Sequence, residues 1–251
     1  MLEVRNLFAG YGEEDVLRDV SLAFPQGHIT AVVGPNGGGK STLLKAVVGL
    51  TRTRGSLSLT GEPLEGSSRR ELARHIAYLP QSRPLPQITV EALVLHGRFP
   101  YLSYPRTYRR EDREAAKQAL EALGIAGLAD RSLDSLSGGQ RQKAYIAMAL
   151  AQDTEVVLMD EPTNFLDISQ RLRVLELARL LADRGKAVVL VVHDLNLALR
   201  GADRLAVIAG GQLLAQGEPE AVFTSGILDR AFSTHVKRVM TEDGWQYYCP
   251  G

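Results

Sequence analysis

Gly34-Pro35-Asn36-Gly37-Gly38-Gly39-Lys40-Ser41-Thr42 is the stretch that decides the fold of this 251-residue chain. It fits the pattern G-x-x-x-x-G-K-[ST] of a phosphate-binding loop, or P-loop. The apolar, β-branched run from Ile29 to Val33 precedes it and predicts a buried strand, and the run from Leu43 to Val48 is apolar at helical spacing. Strand, glycine-rich turn and helix start are the context that this motif needs. We therefore expect an α/β fold built around an anion site.

The residues of the loop have separate tasks in holding a phosphate. Backbone N–H groups at a helix start converge on one point, where the helix dipole favours negative charge. Lys40 is predicted to reach the β- and γ-phosphates of a nucleotide, and the Ser41 hydroxyl to ligate Mg²⁺. The alternative is a glycine-rich turn without a ligand, which a Lys-Ser pair at this spacing disfavours. We expect the loop glycines to adopt positive φ angles without steric penalty: Gly34, Gly37, Gly38 and Gly39.

Composition narrows the class of protein. Hydrophobic residues make up 45% of the chain and charged residues 23%, which indicates a soluble globular protein. The 29 basic residues balance the 29 acidic ones, so there is no strong basic field to hold nucleic acid nonspecifically. No apolar run approaches the roughly 20 residues of a membrane span. The single cysteine, Cys249, excludes an internal disulfide and fits a reducing compartment.

An acidic pair follows a second predicted strand. Val156 to Met159 form a buried apolar run that ends in Asp160-Glu161. In a sheet that carries a P-loop, an aspartate at a strand end holds Mg²⁺. A second carboxylate beside a metal-bound triphosphate can act as general base. Helix capping is the structural alternative for the two acids.

Two further polar residues end predicted strands. Gln81 follows the strand from Ile76 to Leu79, and it is either a ligand or outer partner of Mg²⁺ or a turn residue. His193 ends the apolar run from Ala187 to Val192. Taken alone it would be structural, but beside the other strand ends it becomes a candidate sensor of a γ-phosphate.

Ser137-Gly138-Gly139-Gln140 opens another predicted helix. Ser137 and Gln140 have the S-x-x-Q spacing of a capping box. Alternatively, the two glycines leave this helix start open to a second anion, as in the P-loop. A single nucleotide bound to one chain would not obviously contact both helix starts. If the second helix start also binds the nucleotide, a further interaction must bring the two helix starts together.

Tyr11 has two open interpretations, and Asp167 has a structural one. Tyr11 lies between two glycines in a predicted turn, where it would stack on a nucleotide base or remain a surface tyrosine. Asp167 ends the turn that begins at Asn164 and would cap the helix predicted from about Ile168 to Leu181.

The order of patterns predicts one domain with an insertion. Residues 2 to 59 alternate short apolar runs with turns, which indicates strands that are partly antiparallel. From residue 82, prolines and aromatic residues interrupt the pattern, and an amphipathic helix follows between Arg109 and Leu123. We interpret residues 82–150 as a helical subdomain inserted into an α/β core of residues 1–81 and 151–235, so that 1–240 form one domain. The aromatic residues of the insertion are interpreted as local packing, with a docking surface as the alternative. Residues 236–251 are predicted to form a C-terminal hairpin and tail, to which we assign no chemistry.

In order and spacing, these motifs resemble those of the nucleotide-binding subunit of ATP-binding cassette (ABC) transporters. The resemblance extends from about Leu2 to Val239. It implies a P-loop NTPase (RecA-like) core with an N-terminal antiparallel β subdomain and an inserted helical subdomain. It also implies ATP and Mg²⁺ as ligands, and two identical subunits that meet head to tail. Ser137 to Gln140 of one subunit would then close over the ATP held by the P-loop of the other, which accounts for the second anion site.

The resemblance implies a role for each matched residue. Glu161 would be the general base, His193 the switch histidine, and Gln81 the sensor of Mg²⁺ and the γ-phosphate. Asp167 would lie in the loop that faces the partner subunit. The implied Mg²⁺ ligands are Ser41, Gln81 and Asp160. The implied ATP-binding residues are Tyr11, which would stack on adenine, and Gly34, Pro35, Asn36, Gly37, Gly38, Gly39, Lys40, Ser41, Thr42, Ser137, Gly138, Gly139 and Gln140.

A narrower resemblance concerns bacterial importers. Four stretches look like those of ATPases that power uptake of iron chelates (siderophores), haem or cobalamin: His96-Gly97-Arg98-Phe99-Pro100-Tyr101-Leu102, Leu158 to Thr163, Leu166-Asp167-Ile168 and His193-Asp194-Leu195-Asn196-Leu197-Ala198. This group implies a homodimer at the cytoplasmic face of the membrane, beneath two copies of a polytopic membrane permease that an extracytoplasmic substrate-binding protein feeds. The helical subdomain and the region after Gln81 would contact the permease. Gly38 departs from the alanine, serine or cysteine usual in the family, and Lys143 from a common arginine.

Two other functions are kept as alternatives. One is the ATPase of an exporter, which the motifs do not separate from an importer. The other is a soluble ABC-type ATPase, for example in iron–sulfur cluster assembly, DNA repair or ribosome function. Neutral charge and a single cassette argue against the nucleic-acid members. The sequence does not identify the transported substrate, because such a chain contacts nucleotide and permease and not the cargo.

Overall fold

A computed structural model describes residues 1–81, 85–163 and 167–250 of the chain. In these ranges the strands are β1 (Leu2–Tyr11), β2 (Glu14–Phe24), β3 (Ile29–Val33), β4 (Arg52–Leu59), β5 (Glu62–Pro63), β6 (Ile76–Leu79), β7 (Val156–Asp160), β8 (Ala187–Val191), β9 (Arg204–Ala209), β10 (Gln212–Gly217), β11 (Lys237–Thr241) and β12 (Gly244–Tyr248). The α-helices are α1 (Lys40–Val47), α2 (Arg69–His75), α3 (Val90–His96), α4 (Arg110–Ala122), α5 (Gly138–Gln152), α6 (Ile168–Asp183), α7 (Leu195–Gly201), α8 (Pro219–Thr224) and α9 (Ile227–Phe232).

A six-stranded sheet positions the site. Its strand order is β10-β9-β3-β8-β7-β6, with parallel pairing throughout except at the edge strand β10, which is antiparallel to β9. Every residue of β3, β7 and β8 is buried, as continuous apolar runs require in a parallel sheet covered on both faces. Parallel strands end at one edge, and ligands bind in the crevice outside that edge. The predicted α/β class is confirmed.

The predicted antiparallel strands form a second sheet, in the order β2-β1-β4-β5. Its apolar residues share one core cluster with α1 and one face of the central sheet; Leu17, Leu43 and Leu158 are fully buried there. The expectation of a turn at Tyr11 is wrong. Tyr11 is the last residue of β1 and pairs with Glu14 of β2, because this pairing extends the β1–β2 ladder to the turn at Gly12.

The helices α3, α4 and α5 lie in the chain between β6 and β7. The predicted amphipathic helix is α4, and its apolar face, including Ala116 and Leu120, packs in the same core cluster as the other face of the central sheet. α5 runs through the predicted boundary at residue 150 and ends beside β6. The division into core and helical subdomain stays a prediction.

The aromatic residues before α4 have different surroundings. The Tyr101 hydroxyl donates to the Gln152 carbonyl oxygen at 3.0 Å, which is the local packing expected. Tyr104, by contrast, is 97% exposed and Phe99 43% exposed. Packing alone therefore accounts for only part of this aromatic stretch.

Both predicted hairpins are present, one at the edge of the central sheet and one after it in the chain. The hairpin predicted at Gly210-Gly211 is β9–β10, and that at Asp243-Gly244 is β11–β12. Tyr247 of β12 is buried and meets the ring of Phe223 edge-on, with ring centroids 5.1 Å apart. Within the described ranges, none of the helices combines the length and the apolar character that spanning a bilayer requires.

Candidate functional site

The P-loop joins β3 to α1 and has the backbone that its glycines permit. φ is positive at Gly34 (152°), Gly37 (74°) and Gly39 (107°), as expected. The expectation is wrong for Gly38, which is not among the positive-φ residues. Space favours a small residue there instead, since a Cβ would lie 3.0 Å from the carbonyl oxygens of Pro35 and Ile208.

Alanine at Gly34 and at Gly38 should have very different effects. A Cβ at Gly34 would lie 1.8 Å from the Ile208 carbonyl oxygen of β9, and the φ of 152° adds strain. We expect Gly34→Ala to lower the free energy of unfolding by at least about 1–3 kcal/mol. We expect Gly38→Ala to lower it by less than about 1 kcal/mol, because a shift of tenths of an ångström relieves its contacts. Denaturant unfolding of both variants checks this, and equal losses would contradict it.

Lys40 is a buried cation at the start of α1. It is only 5% exposed, and its Nζ donates to the carbonyl oxygens of Gly34 at 2.8 Å and Pro35 at 2.9 Å. Burial lowers the pKa of the ammonium group, while the negative charges of Glu161 and Asp160 act in the opposite direction. The loop's own carbonyls thus hold the cation in place.

Ser41 and Asp160 form an oxygen pair beside the loop. Ser41 Oγ donates to Asp160 Oδ1 at 2.8 Å, and Tyr78 OH donates to Oδ2 at 3.3 Å. Asp160 is 2% exposed, and burial raises the pKa of its carboxyl group. In the described ranges no group of three or more His, Cys, Asp or Glu residues could hold a metal. A hydroxyl and one carboxylate nevertheless fit Mg²⁺, because that ion takes few protein ligands and completes its shell with phosphates and water.

Glu161 follows β7, and its side chain contacts residues that follow two other parallel strands, β6 and β8. Its side chain accepts a hydrogen bond from Gln81 Nε2 at Oε2, and His193 Nε2 lies 2.5 Å from Oε1. Its φ is 50°, unusual for a residue with a side chain, and its N–H donates to the Val191 carbonyl oxygen at 3.1 Å. Such strained backbone concentrates at functional sites. Gln81, Glu161 and His193 therefore form one cluster, as their positions at strand ends predicted.

These residues line a cavity of about 560 Å³. Its walls are residues 36–42 of the P-loop together with Val16, Gln81, Glu161 and His193. Val16 of β2 was not predicted to take part. Only a tertiary contact brings it there, since its Cγ1 lies 3.7 Å from where a Cβ of Gly39 would be.

Tyr11 and the second glycine-rich helix start lie outside this cavity. Tyr11 is 51% exposed, with Lys45 Nζ 5.8 Å from its ring centroid. The capping box of α5 is confirmed, since Gln140 N donates to Ser137 Oγ at 3.3 Å and Ser137 N donates to Gln140 Oε1 at 3.1 Å. Ser137 and Gly138 are exposed. The start of α5 is thus open to contact from another molecule.

Asp167 is the N-cap of α6, as one of its two interpretations predicted. Its Oδ1 accepts a hydrogen bond from Gln170 N at 2.8 Å. Asn164, Phe165 and Leu166, the rest of the predicted turn, lie outside the described residues, as does Pro84 at the start of the predicted insertion.

Known proteins with similar sequences and folds have transport functions. Residues 17–164 match the family model described as ABC transporter. The ferric enterobactin transport ATP-binding protein FepC of Escherichia coli (strain K12) is 43% identical over 234 residues, covering 92% of this chain and 86% of FepC. The iron(3+)-hydroxamate import ATP-binding protein FhuC of Bacillus subtilis (strain 168) is 40% identical over 234 residues, covering 92% of this chain and 87% of FhuC.

A solved structure extends this similarity to the whole fold. A metal-chelate type ABC transporter in an inward-facing conformation matches with a TM-score of 0.84 and 29% identity, over 99% of this chain and 96% of that chain. The P-loop, the carboxylates at the end of β7 and the capped start of α5 stand in the order that the resemblance implied. This chain belongs to the ABC transporter family, as one of its ATP-binding and ATP-hydrolysing subunits.

Proposed function

We propose that this chain hydrolyses ATP to power uptake of an iron chelate (siderophore), haem or cobalamin through a partner membrane permease. One observation carries the proposal: relatives at 40–43% identity over 92% of the chain are named for ferric enterobactin transport and iron(3+)-hydroxamate import. Iron–siderophore complexes are therefore the first substrates to test.

The residues around the cavity have complementary roles in hydrolysis. Lys40 and the N–H groups of the P-loop bind the β- and γ-phosphates and stabilise charge that develops on them. Ser41 and Asp160 would hold Mg²⁺, with Gln81 beside them, and the ion would neutralise phosphate charge. Glu161 orients a water for in-line attack on the γ-phosphate and takes its proton. Gln81 and His193 hold the Glu161 carboxylate, and His193 senses the γ-phosphate.

A second copy of the chain completes the nucleotide site. Tyr11 is exposed on the P-loop side, where its ring stacks on adenine. Ser137 and Gly138, at the capped start of α5, are exposed, so the N–H groups of this helix start can close over ATP bound to the other copy. Because the closed homodimer prefers ATP to ADP, each cycle of hydrolysis can drive a permease between two states.

The permease lies next to the inserted helical region. Two copies of a polytopic permease bind the homodimer at the cytoplasmic face of the membrane, and an extracytoplasmic substrate-binding protein delivers the cargo to them. The exposure of Phe99 and Tyr104 supports a docking surface in this region. We propose residues 82–150 as the helical subdomain that makes this contact.

Reconstituted transport tests the proposed function. Purification of the tagged chain from detergent-solubilised membranes is expected to recover a polytopic permease. That complex, placed in proteoliposomes, is expected to accumulate a ferric hydroxamate or catecholate only with ATP and Mg²⁺ on the side of this chain. Outward movement of the chelate would indicate an exporter. Recovery of soluble assembly factors instead of a permease would contradict transport.

A further inference from the structure

The C-terminal hairpin, β11–β12, is joined to α7 by side-chain hydrogen bonds. The Asn196 carboxamide uses both of its ends: Oδ1 accepts from Tyr247 N at 2.9 Å, and Nδ2 donates to Gln246 Oε1 at 3.1 Å. One turn later, Arg200 Nη1 donates to the same Gln246 Oε1 at 3.1 Å, and its Nη2 donates to the Asp243 carbonyl oxygen at 3.0 Å. The polar side of α7 is therefore fastened to the hairpin at two successive turns.

α7 depends on such contacts for its position. It has only 7 residues, and a helix of about two turns is not stable alone in water. Leu197, Ala198 and Leu199 are buried in the protein, while Asn196 and Arg200 meet the hairpin. Removal of the polar contacts would leave the start of the helix held by its apolar side only.

The start of α7 is one residue from the catalytic cluster. Asp194 caps the helix by accepting from Leu197 N at 3.0 Å. His193 precedes it, with Nε2 2.5 Å from Glu161 Oε1. Because β8 ends at Val191 and is buried throughout, movement of α7 is passed to the short segment that carries His193.

We propose that Asn196, held by Gln246 and the Tyr247 backbone, is a positioning residue that fixes His193 against Glu161. Through Gln246 and Tyr247, strand β12 then supports ATP hydrolysis, although it lies beyond residue 164, where the family match ends. This inference rests on the proposed role of His193 in hydrolysis.

If the hairpin only stabilised the fold, loosening it at any attachment would affect ATP hydrolysis equally. A second attachment, at Arg238, therefore provides the control. Arg238 of β11 pairs with Glu220, and its guanidinium carbon lies 4.8 Å from the Phe223 ring centroid and 4.1 Å from that of Trp245. The contacts with Glu220 and Phe223 join the hairpin to α8 rather than to α7, and the contact with Trp245 lies within the hairpin. Arg238→Ala therefore loosens the hairpin without breaking the contact at Asn196.

The test compares steady-state ATP hydrolysis and thermal unfolding of the full-length Asn196→Ala and Arg238→Ala variants. We expect Asn196→Ala to lower kcat about tenfold, below the roughly 10²-fold that a 1 Å misplacement can cost, and to change KM for ATP by less than about twofold. We expect Arg238→Ala to keep the wild-type kcat even if its unfolding temperature falls by as much as that of Asn196→Ala. Equal loss of kcat in both variants, or an unchanged kcat in Asn196→Ala, would overturn the inference.

Two further variants complete the test. In Asn196→Asp the carboxylate still accepts from Tyr247 N but no longer donates to Gln246 Oε1, which Arg200 Nη1 still reaches, so part of the lost kcat should return. Failure of this rescue counts against positioning. His193→Ala separates the proposed role of His193 in hydrolysis from the positioning role of Asn196. If it loses turnover while Asn196→Ala does not, only the positioning role fails; if His193→Ala hydrolyses ATP normally, the proposed role of His193 and this inference fail together.

Discussion

Glu161→Gln is expected to reduce the rate of ATP hydrolysis by about 10²–10⁴-fold while leaving ATP binding intact. Glutamine keeps the size of the side chain and an oxygen that can accept from His193 Nε2, but it cannot take a proton from water. The Gln81 amide, which now donates to Oε2, can rotate to face the new NH₂ group. Single-turnover hydrolysis and equilibrium ATP binding measure the two effects separately.

Glu155→Gln is the matched control for this variant. Glu155 directly precedes β7 and Glu161 directly follows it, so the same chemical change is made at opposite ends of one strand. Glu155 is paired with His75 at 3.3 Å, far from the P-loop edge of the sheet. Its variant should hydrolyse ATP at the wild-type rate. An undiminished rate in Glu161→Gln would show that the base has been assigned wrongly.

The same variant also tests the proposed homodimer. If closure of two copies over ATP precedes hydrolysis, Glu161→Gln should accumulate as a dimer with ATP and return to monomer with ADP. Light scattering after size-exclusion chromatography distinguishes the two states. A monomer at saturating ATP would argue against the head-to-tail site at Ser137 to Gln140.

The parts of this fold that the sequence predicted best are those set by local patterns. The apolar runs at β3, β7 and β8 gave strand ends within one residue, because a buried parallel strand needs an uninterrupted apolar stretch. The capping residue Ser137 was predicted from the S-x-x-Q spacing, and Asp167 from its place before a predicted helix, since a cap is satisfied within its own turn. Polar residues at strand ends were predicted to meet because parallel strands share an edge.

What was missed depends on contacts between distant parts of the chain. α2, α8 and α9 have only six or seven residues, too few to show helical periodicity. Val16 lines the cavity but belongs to another sheet. A small residue is favoured at Gly38 because the Ile208 carbonyl oxygen, 170 positions later in the chain, lies close to it. Asn196 meets Gln246 across 50 positions. Neither composition nor spacing carries information about such pairs.

Lys40→Ala is expected to abolish hydrolysis by a different route, through loss of nucleotide binding. The substitution removes the buried cation, so that the Gly34 carbonyl oxygen loses its donor while the Pro35 carbonyl oxygen keeps the bond from Gly38 N at 3.1 Å. Buried acceptors without a partner cost free energy, so the loop itself should lose order. Loss of one preorganised donor to a transition-state oxyanion costs about 10²–10³-fold in rate, and the lost charge should weaken ATP binding as well.

Equilibrium ATP binding therefore separates Lys40→Ala from Glu161→Gln, since only the lysine variant should lose affinity. Lys117→Ala is the control, because Lys117 lies on the surface of α4 and pairs only at 3.9 Å with Glu121. Lys40→Arg keeps the charge, but a planar guanidinium does not fit where an ammonium bonds two loop carbonyls from a site only 5% exposed. We expect it to be impaired too. Wild-type affinity in Lys40→Ala would mean that the backbone N–H groups alone hold the triphosphate and that the lysine positions the loop rather than the ligand.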